Sequence, residues 1–173
     1  KAVKRDLKKI SPKEAKEIVN KVLPHILENS SVGIPLVGIL KGSFIFLADL
    51  VRNLTIPHQV DFISVASYGS STQAGGVVKL IKDLGVNIEG KNVIIVEDII
   101  DTGLTLNYIR NNLLTRKPKE VVILTLLVKK EKRPLKLPIK YLGFKIPADF
   151  VVGYGLDYDE KYRNLPYIAK LKF

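Results

Sequence analysis

Apolar residues along this chain fall into short continuous runs separated by stretches of helical spacing. Pro35-Leu36-Val37-Gly38-Ile39-Leu40, Val93-Ile94-Ile95-Val96 and Glu120 to Val128 contain few polar interruptions. Runs of this kind read as strands covered on both faces, as in a parallel sheet flanked by helices. Val60 to Ser67 alternates enough to be a strand, Val77 to Ile81 follows as another, and Phe150-Val151-Val152-Gly153 reads as a last short one. Helical periodicity lies between them. Ser11-Pro12-Lys13-Glu14 combines an N-cap, a proline at the first helical position and a capping-box glutamate, which predicts a helix from about Ser11 to Glu28. A second is predicted from about Ser43 to Leu54, and a third begins at Thr105, with Leu106, Ile109, Leu113 and Leu114 on its apolar side. Strands alternating with helices imply an α/β fold with a mostly parallel central sheet.

The segment after Val96 changes the question from fold to chemistry. Glu97-Asp98-Ile99-Ile100-Asp101-Thr102-Gly103-Leu104-Thr105 runs from a buried strand through three carboxylates into a small-residue loop that opens a helix. Asp, Thr and Gly are ordinary turn residues, so Asp101-Thr102-Gly103 alone carries little. Two adjacent carboxylates at the end of an apolar strand repel each other and gain nothing for folding, so they call for a cation, a polyhydroxyl ligand, or both. The helix N-terminus behind them offers backbone N–H groups to an anion. Ribose hydroxyls, a phosphate and Mg²⁺ together suit this mixture, since Mg²⁺ is usually held by one or two carboxylates plus substrate phosphates.

Composition narrows the remaining choices. A length of 173 residues suits one well-buried domain, read here as spanning 1–173. No apolar run approaches the roughly 18 residues of a membrane span, and the lysine-rich start does not resemble a secretory signal, so a cytoplasmic location and no membrane partner are expected. With no cysteine and only two histidines, any metal must be held by oxygen. No Met occurs, even at position 1, which leaves the chain processed, trimmed or engineered as the expectation. The net charge of +11 suits an anionic partner or a solvated lysine surface. Its clusters, Lys1 to Lys9 and Lys129 to Lys140, lack interleaved aromatic residues, which argues against nucleic acid. Neither Gly-x-Gly-x-x-Gly nor Gly-x-x-x-x-Gly-Lys-Ser/Thr occurs, so dinucleotide dehydrogenases and ordinary ATPases are disfavoured.

Four segments in order resemble the type I phosphoribosyltransferases in their hypoxanthine-guanine form. Val96 to Thr105 resembles the family's motif for phosphoribosyl diphosphate (PRPP), and Leu40-Lys41-Gly42 its diphosphate loop. Ser67-Tyr68-Gly69 resembles the start of its flexible catalytic loop, placed at about 67–78, and Phe150 to Tyr158 its purine-binding stretch. The resemblance implies the type I phosphoribosyltransferase fold, with a small hood built from the C-terminal segment at about 129–173. It implies purine salvage: transfer of phosphoribosyl from PRPP to N9 of hypoxanthine or guanine, giving IMP or GMP and diphosphate, with Mg²⁺ as cofactor and a homodimer or homotetramer as assembly.

Carried onto this chain, the resemblance implies a role at each matching position. Glu97 and Asp98 would face the ribose hydroxyls with the metal beside them, and Asp157 would also hold Mg²⁺. Asp101 would be the general acid/base at purine N7. Thr102, Gly103, Leu104 and Thr105 would hold the 5-phosphate, and Lys41, Gly42 and Arg163 the diphosphate. The Leu40–Lys41 bond is often a cis peptide in this family. Lys129, grouped with Asp101 as catalytic, would read the 6-oxo group; with donors and no acceptor it should reject adenine. Phe150 would stack on the purine and the Val151 backbone would read its edge. Ser67 to Gly76 would close as a lid. A PRPP- or nucleotide-sensing regulator on the same fold that binds nucleic acid is the alternative, and transfer to another base is a third reading. Nothing in the sequence chooses among hypoxanthine, guanine and xanthine, and the basic stretch Lys130 to Pro138 has no functional account.

Overall fold

A computed structural model describes residues 33–68, 77–129 and 137–172, together with Glu17. The helix expected over Ser11–Glu28 lies outside the described residues except for Glu17, which is helical and exposed. Ten elements follow: β1 (Ile34–Leu40), α1 (Phe44–Asn53), β2 (His58–Tyr68), β3 (Val77–Lys82), β4 (Asn92–Ile100), α2 (Leu104–Leu114), β5 (Glu120–Lys129), β6 (Ile139–Ile146), β7 (Val151–Val152) and β8 (Ala169–Lys170). The main sheet has the order β3-β2-β1-β4-β5-β6. All its pairings are parallel except β2 with β3, which are antiparallel. β7 and β8 form a separate antiparallel pair, the hood, which is smaller than the expected 129–173 because Lys129 and β6 belong to the main sheet.

Both faces of the sheet are covered, as the unbroken apolar runs require. Leu36, Ile94, Val96 and Leu124 pack with Phe46, Leu47 and Leu50 of α1, and the hood residues Val151, Tyr154, Leu156 and Ile168 join this cluster. Val37, Ile39, Val93, Ile95 and Ile123 face the other way onto Ile109 and Leu113 of α2. Period-two alternation distributes each strand between the two cores. Leu126 and Leu127 depart from it: neighbours in sequence, both belong to the α1 side.

Two strands were not anticipated. β6 reads Ile-Lys-Tyr-Leu-Gly-Phe-Lys-Ile, and its two lysines and glycine interrupt the apolar signal because it is the outermost strand beside β5. β8 is two residues long, too short for any periodicity, so the Phe150–Gly153 strand is not the last one. Among the described residues no helix is long and apolar enough to cross a membrane.

The topology places the chemistry. β1 is followed by β2 on one side of the sheet and β4 by β5 on the other, so the strand order reverses between β1 and β4. The crevice at the carboxyl ends of strands flanking such a reversal is where open α/β sheets bind ligands. Lys41 and Gly42 follow β1, Asp101 follows β4, and Lys129 ends β5.

Candidate active site

Close approach of backbones sets the floor of this crevice. The Leu40–Lys41 peptide is cis, and Gly42 behind it lies against Asp98 of β4. A Cβ built on Gly42 would sit 1.8 Å from Asp98 Oδ2. Gly155, at φ +100°, closes from the hood side, where a Cβ would come within 2.1 Å of the Gly42 carbonyl oxygen. Only glycine fits at 155, and any side chain at 42 would displace the Asp98 carboxylate. β4, the β1 loop and the hood are thereby stacked through two residues without side chains.

One cavity opens over this floor. Lys41, Gly42, Asp98, Ile99, Lys129, Phe150, Val151, Leu156, Asp157 and Arg163 line it. Arg163 Nη1 donates to the Gly155 carbonyl at 2.9 Å, while Nη2 lies 2.9 Å from Asp157 Oδ1. Its Nε is buried without a partner. Lys129 Nζ lies 2.5 Å from Asp101 Oδ2 across the mouth. Asp98 is 8% exposed, and burial pushes its carboxyl up to about 6. The Ile99 N–H and the Arg163 charge oppose that rise, and the neighbouring Asp157 carboxylate adds to it. Phe150 is partly exposed at the rim and meets Tyr158 edge-on, with ring centroids 5.6 Å apart.

A second cavity adjoins it, lined by Glu97, Ile99, Ile100, the loop from Asp101 to Gly103 and the first residues of α2, Leu104 to Leu106. Gly103 takes a left-handed conformation at φ +72° as the N-cap of α2, with no side-chain cap. The first N–H groups of the helix therefore have no side-chain oxygen from the cap position to satisfy them, the arrangement that suits an anion. Leu104 is 73% exposed, so its position in the loop owes nothing to core packing. Glu97 is half-buried, and its Oε2 is shielded without any hydrogen-bond partner. Burial, and then the charge of Asp98, push the Glu97 carboxyl well above the usual range.

The model of the phosphoribosyl transferase domain matches residues 7–159. The chain belongs to the phosphoribosyltransferase family. Hypoxanthine phosphoribosyltransferase of Salmonella typhimurium is 52% identical over 136 residues, covering 79% of this chain and 76% of that one. The hypoxanthine-guanine phosphoribosyltransferase of Dictyostelium discoideum is 46% identical over 165 residues, 92% of each chain. Among solved structures, a hypoxanthine-guanine phosphoribosyltransferase from Bacillus anthracis aligns at a TM-score of 0.88 and 46% identity, over 99% of this chain and all of that one.

In this phosphoribosyltransferase the residues singled out in the sequence converge with one division. Glu97 and Asp98, adjacent in β4, enter different cavities: Glu97 the loop cavity, Asp98 the one beneath the hood. Among the described residues no three of Glu97, Asp98, Asp157 or other acidic or histidine side chains gather as a metal cluster. The ends of the loop expected at about 67–78 are strand instead, with Ser67 and Tyr68 of β2 paired to Val78 and Val77 of β3; residues 69–76 lie outside the described residues, as does most of the basic stretch 130–138.

Three contributors escaped the sequence reading. Glu160 contacts Lys41 and Arg163. The Tyr154 hydroxyl donates to Asp49 Oδ2 at 2.5 Å, tying hood to α1, and burial followed by this bond raises the phenol's pKa. Gly155 provides the close approach to Gly42. Gly153-Tyr154-Gly155 offered a clue, since paired glycines mark positive φ, and all three residues adopt it. The Asp49 partner, 105 positions away, left no local trace.

Proposed function

We propose that this chain transfers the phosphoribosyl group of PRPP to N9 of a 6-oxopurine, hypoxanthine or guanine, releasing diphosphate, in purine salvage. The observation that carries this reading is the shared cavity. A planar aromatic, Phe150, and an ammonium donor, Lys129, lie in one enclosure with the cations Lys41 and Arg163, and the loop from Asp101 to Thr105 adjoins it. Groups suited to a base, to a leaving diphosphate and to a phosphate thus lie side by side, which supports transfer between base and sugar.

In the proposed reaction N9 of the purine attacks ribose C1 as the bond from C1 to the diphosphate oxygen breaks. Lys41, the Gly42 N–H and Arg163 take up the charge that collects on the departing diphosphate. The N–H groups of Thr102 to Thr105 hold the 5-phosphate, so the sugar is anchored while its reacting carbon moves. Asp101 exchanges a proton with N7. Lys129 donates to the 6-oxo group, and Phe150 supports the ring plane with the Val151 backbone at its edge. Asp98 and Asp157 fit a divalent ion, since the Asp157 carboxylate raises the cost of charge on Asp98 in the cavity they both line. Mg²⁺ held there with substrate oxygens would add positive charge beside the leaving group. Glu97, with its orphaned oxygen, is a hydrogen-bond acceptor for the ribose hydroxyls rather than a third ligand of that ion.

We read the chain as one domain working as a homodimer or homotetramer, with Ser67 and Tyr68 leading into a lid. An assay with PRPP, Mg²⁺ and each of hypoxanthine, guanine, xanthine and adenine tests the reading. Turnover with oxopurines and none with adenine is expected; no turnover with any base would return the chain to the regulatory alternative.

A further inference from the structure

The two cations assigned above to the departing diphosphate are already bridged by a carboxylate. Glu160 Oε2 accepts from Lys41 Nζ at 3.0 Å and lies 3.4 Å from Arg163 Nη2. Burial does not force this arrangement, because the Glu160 side chain is 65% exposed. Nor does Arg163 need it for neutrality, since Asp157 pairs with it at 2.9 Å.

The backbone, by contrast, is held firmly in place. Tyr158 and Lys161 bond to each other across a tight turn at 3.1 and 3.0 Å. Its two central residues, Asp159 and Glu160, sit at φ +52° and +57°, a left-handed pair that glutamate seldom adopts. The Glu160 N–H donates to Asp157 Oδ2 at 2.9 Å. The turn therefore presents the root of the Glu160 side chain to the subsite, while its solvated carboxylate remains able to swing aside.

We infer that Glu160 is the internal counter-anion of the leaving-group subsite. Its carboxylate takes the place of a diphosphate oxygen on Lys41 and Arg163, yields when diphosphate arrives, and returns as it departs. The inference rests on the reading of Lys41 and Arg163 as diphosphate ligands. No covalent bond changes; one set of ion pairs replaces another. Exposed pairs compete only modestly with a multiply charged ligand, so the effect on diphosphate affinity is about two- to tenfold. Glu160 would thereby hasten release of this product and soften inhibition by it. A nucleoside monophosphate, whose phosphate belongs to the Thr102–Thr105 loop, would not meet this competition.

Calorimetric titration of Mg²⁺-diphosphate into the full chain, at low and high salt, tests the inference with Glu160→Gln and Glu160→Ala. Both variants should bind diphosphate about two- to tenfold more tightly than the parent, with the gap shrinking at high salt. Their affinity for GMP should stay the same. Equal or weaker diphosphate binding in either variant would overturn the inference and make Glu160 an orienting group for Lys41. An equal gain for GMP would also overturn it, as a general charge effect. If the parent itself binds GMP but no diphosphate, the reading of Lys41 and Arg163 fails and the inference falls with it.

Discussion

Lys129 and Asp101, 28 positions apart, form an ion pair at 2.5 Å between the end of β5 and the first residue beyond β4. The group proposed to read the purine 6-oxo oxygen is thus bonded to the group proposed to move the N7 proton. These two purine atoms lie on the same edge of the base, so a base entering there would meet both residues. Replacing the acid tests the role directly. Asp101→Asn should lower kcat by roughly 10²–10⁴-fold while PRPP still binds, because the amide cannot exchange the proton. Steady-state kinetics with a PRPP binding titration checks this, and near-normal kcat would remove Asp101 from the acid/base role.

Lys129→Gln separates base recognition from catalysis. The amide carries an acceptor as well as donors, so it can meet a 6-amino group that the ammonium cannot. Competition between hypoxanthine and adenine should show discrimination in kcat/KM falling about tenfold or more. Unchanged discrimination would mean that another group reads the 6-position.

Gly155→Ala probes the stacking of hood on floor. The new Cβ would lie 2.1 Å from the Gly42 carbonyl oxygen at φ +100°, so both sterics and backbone oppose it. We expect a loss of about 2–4 kcal/mol in urea unfolding, or a displaced hood with weakened purine binding. Gly85→Ala is the control: its Cβ would find only Asp61 Oδ2 at 3.8 Å, and stability should change by less than about 0.5 kcal/mol.

The Tyr154 hydroxyl on Asp49 holds the hood against α1. Tyr154→Phe should cost about 1–2 kcal/mol and raise KM for the purine more than it lowers kcat, because the residue positions the pocket without touching the reacting atoms. Asp49→Asn keeps an acceptor and should behave nearly as the parent. Asp49→Leu should reproduce the Tyr154→Phe phenotype.

Asp98 makes the site costly to the fold at neutral pH. Its carboxyl is raised from 3.8 to about 6, so between those values the folded chain holds a proton that the unfolded chain has released. Its unfavourable contribution therefore grows as pH rises through this window and is constant above it. Asp98→Asn should match the parent in stability near pH 4 and exceed it by about 1–3 kcal/mol at pH 8, with activity lost. Denaturant titrations at the two pH values decide; a variant less stable at pH 8 would show that Asp98 serves the fold.

The apolar runs by themselves determined the inner strands of the sheet, though not its edge strand β6. Val93 to Val96 and Glu120 to Val128 have no polar side to give to water, so each must lie between two layers, and the α1 and α2 cores confirm it. Local chemistry also marked the acids from Glu97 to Asp101 and the small-residue loop behind them, because these groups stand next to one another in the chain, whereas Lys41-Gly42 was marked only by its resemblance to the family's diphosphate loop. What the sequence left open depended on distant segments meeting. Period-two alternation alone could not say which cavity each of Glu97 and Asp98 enters, since that depends on what covers each face. The pairings of Lys129 with Asp101, Tyr154 with Asp49 and Glu160 with Lys41 join positions 28, 105 and 119 apart. Such contacts arise only when the strand order reverses between β1 and β4 and the hood folds back over the gap, because a side chain records its own preference and not its eventual neighbour.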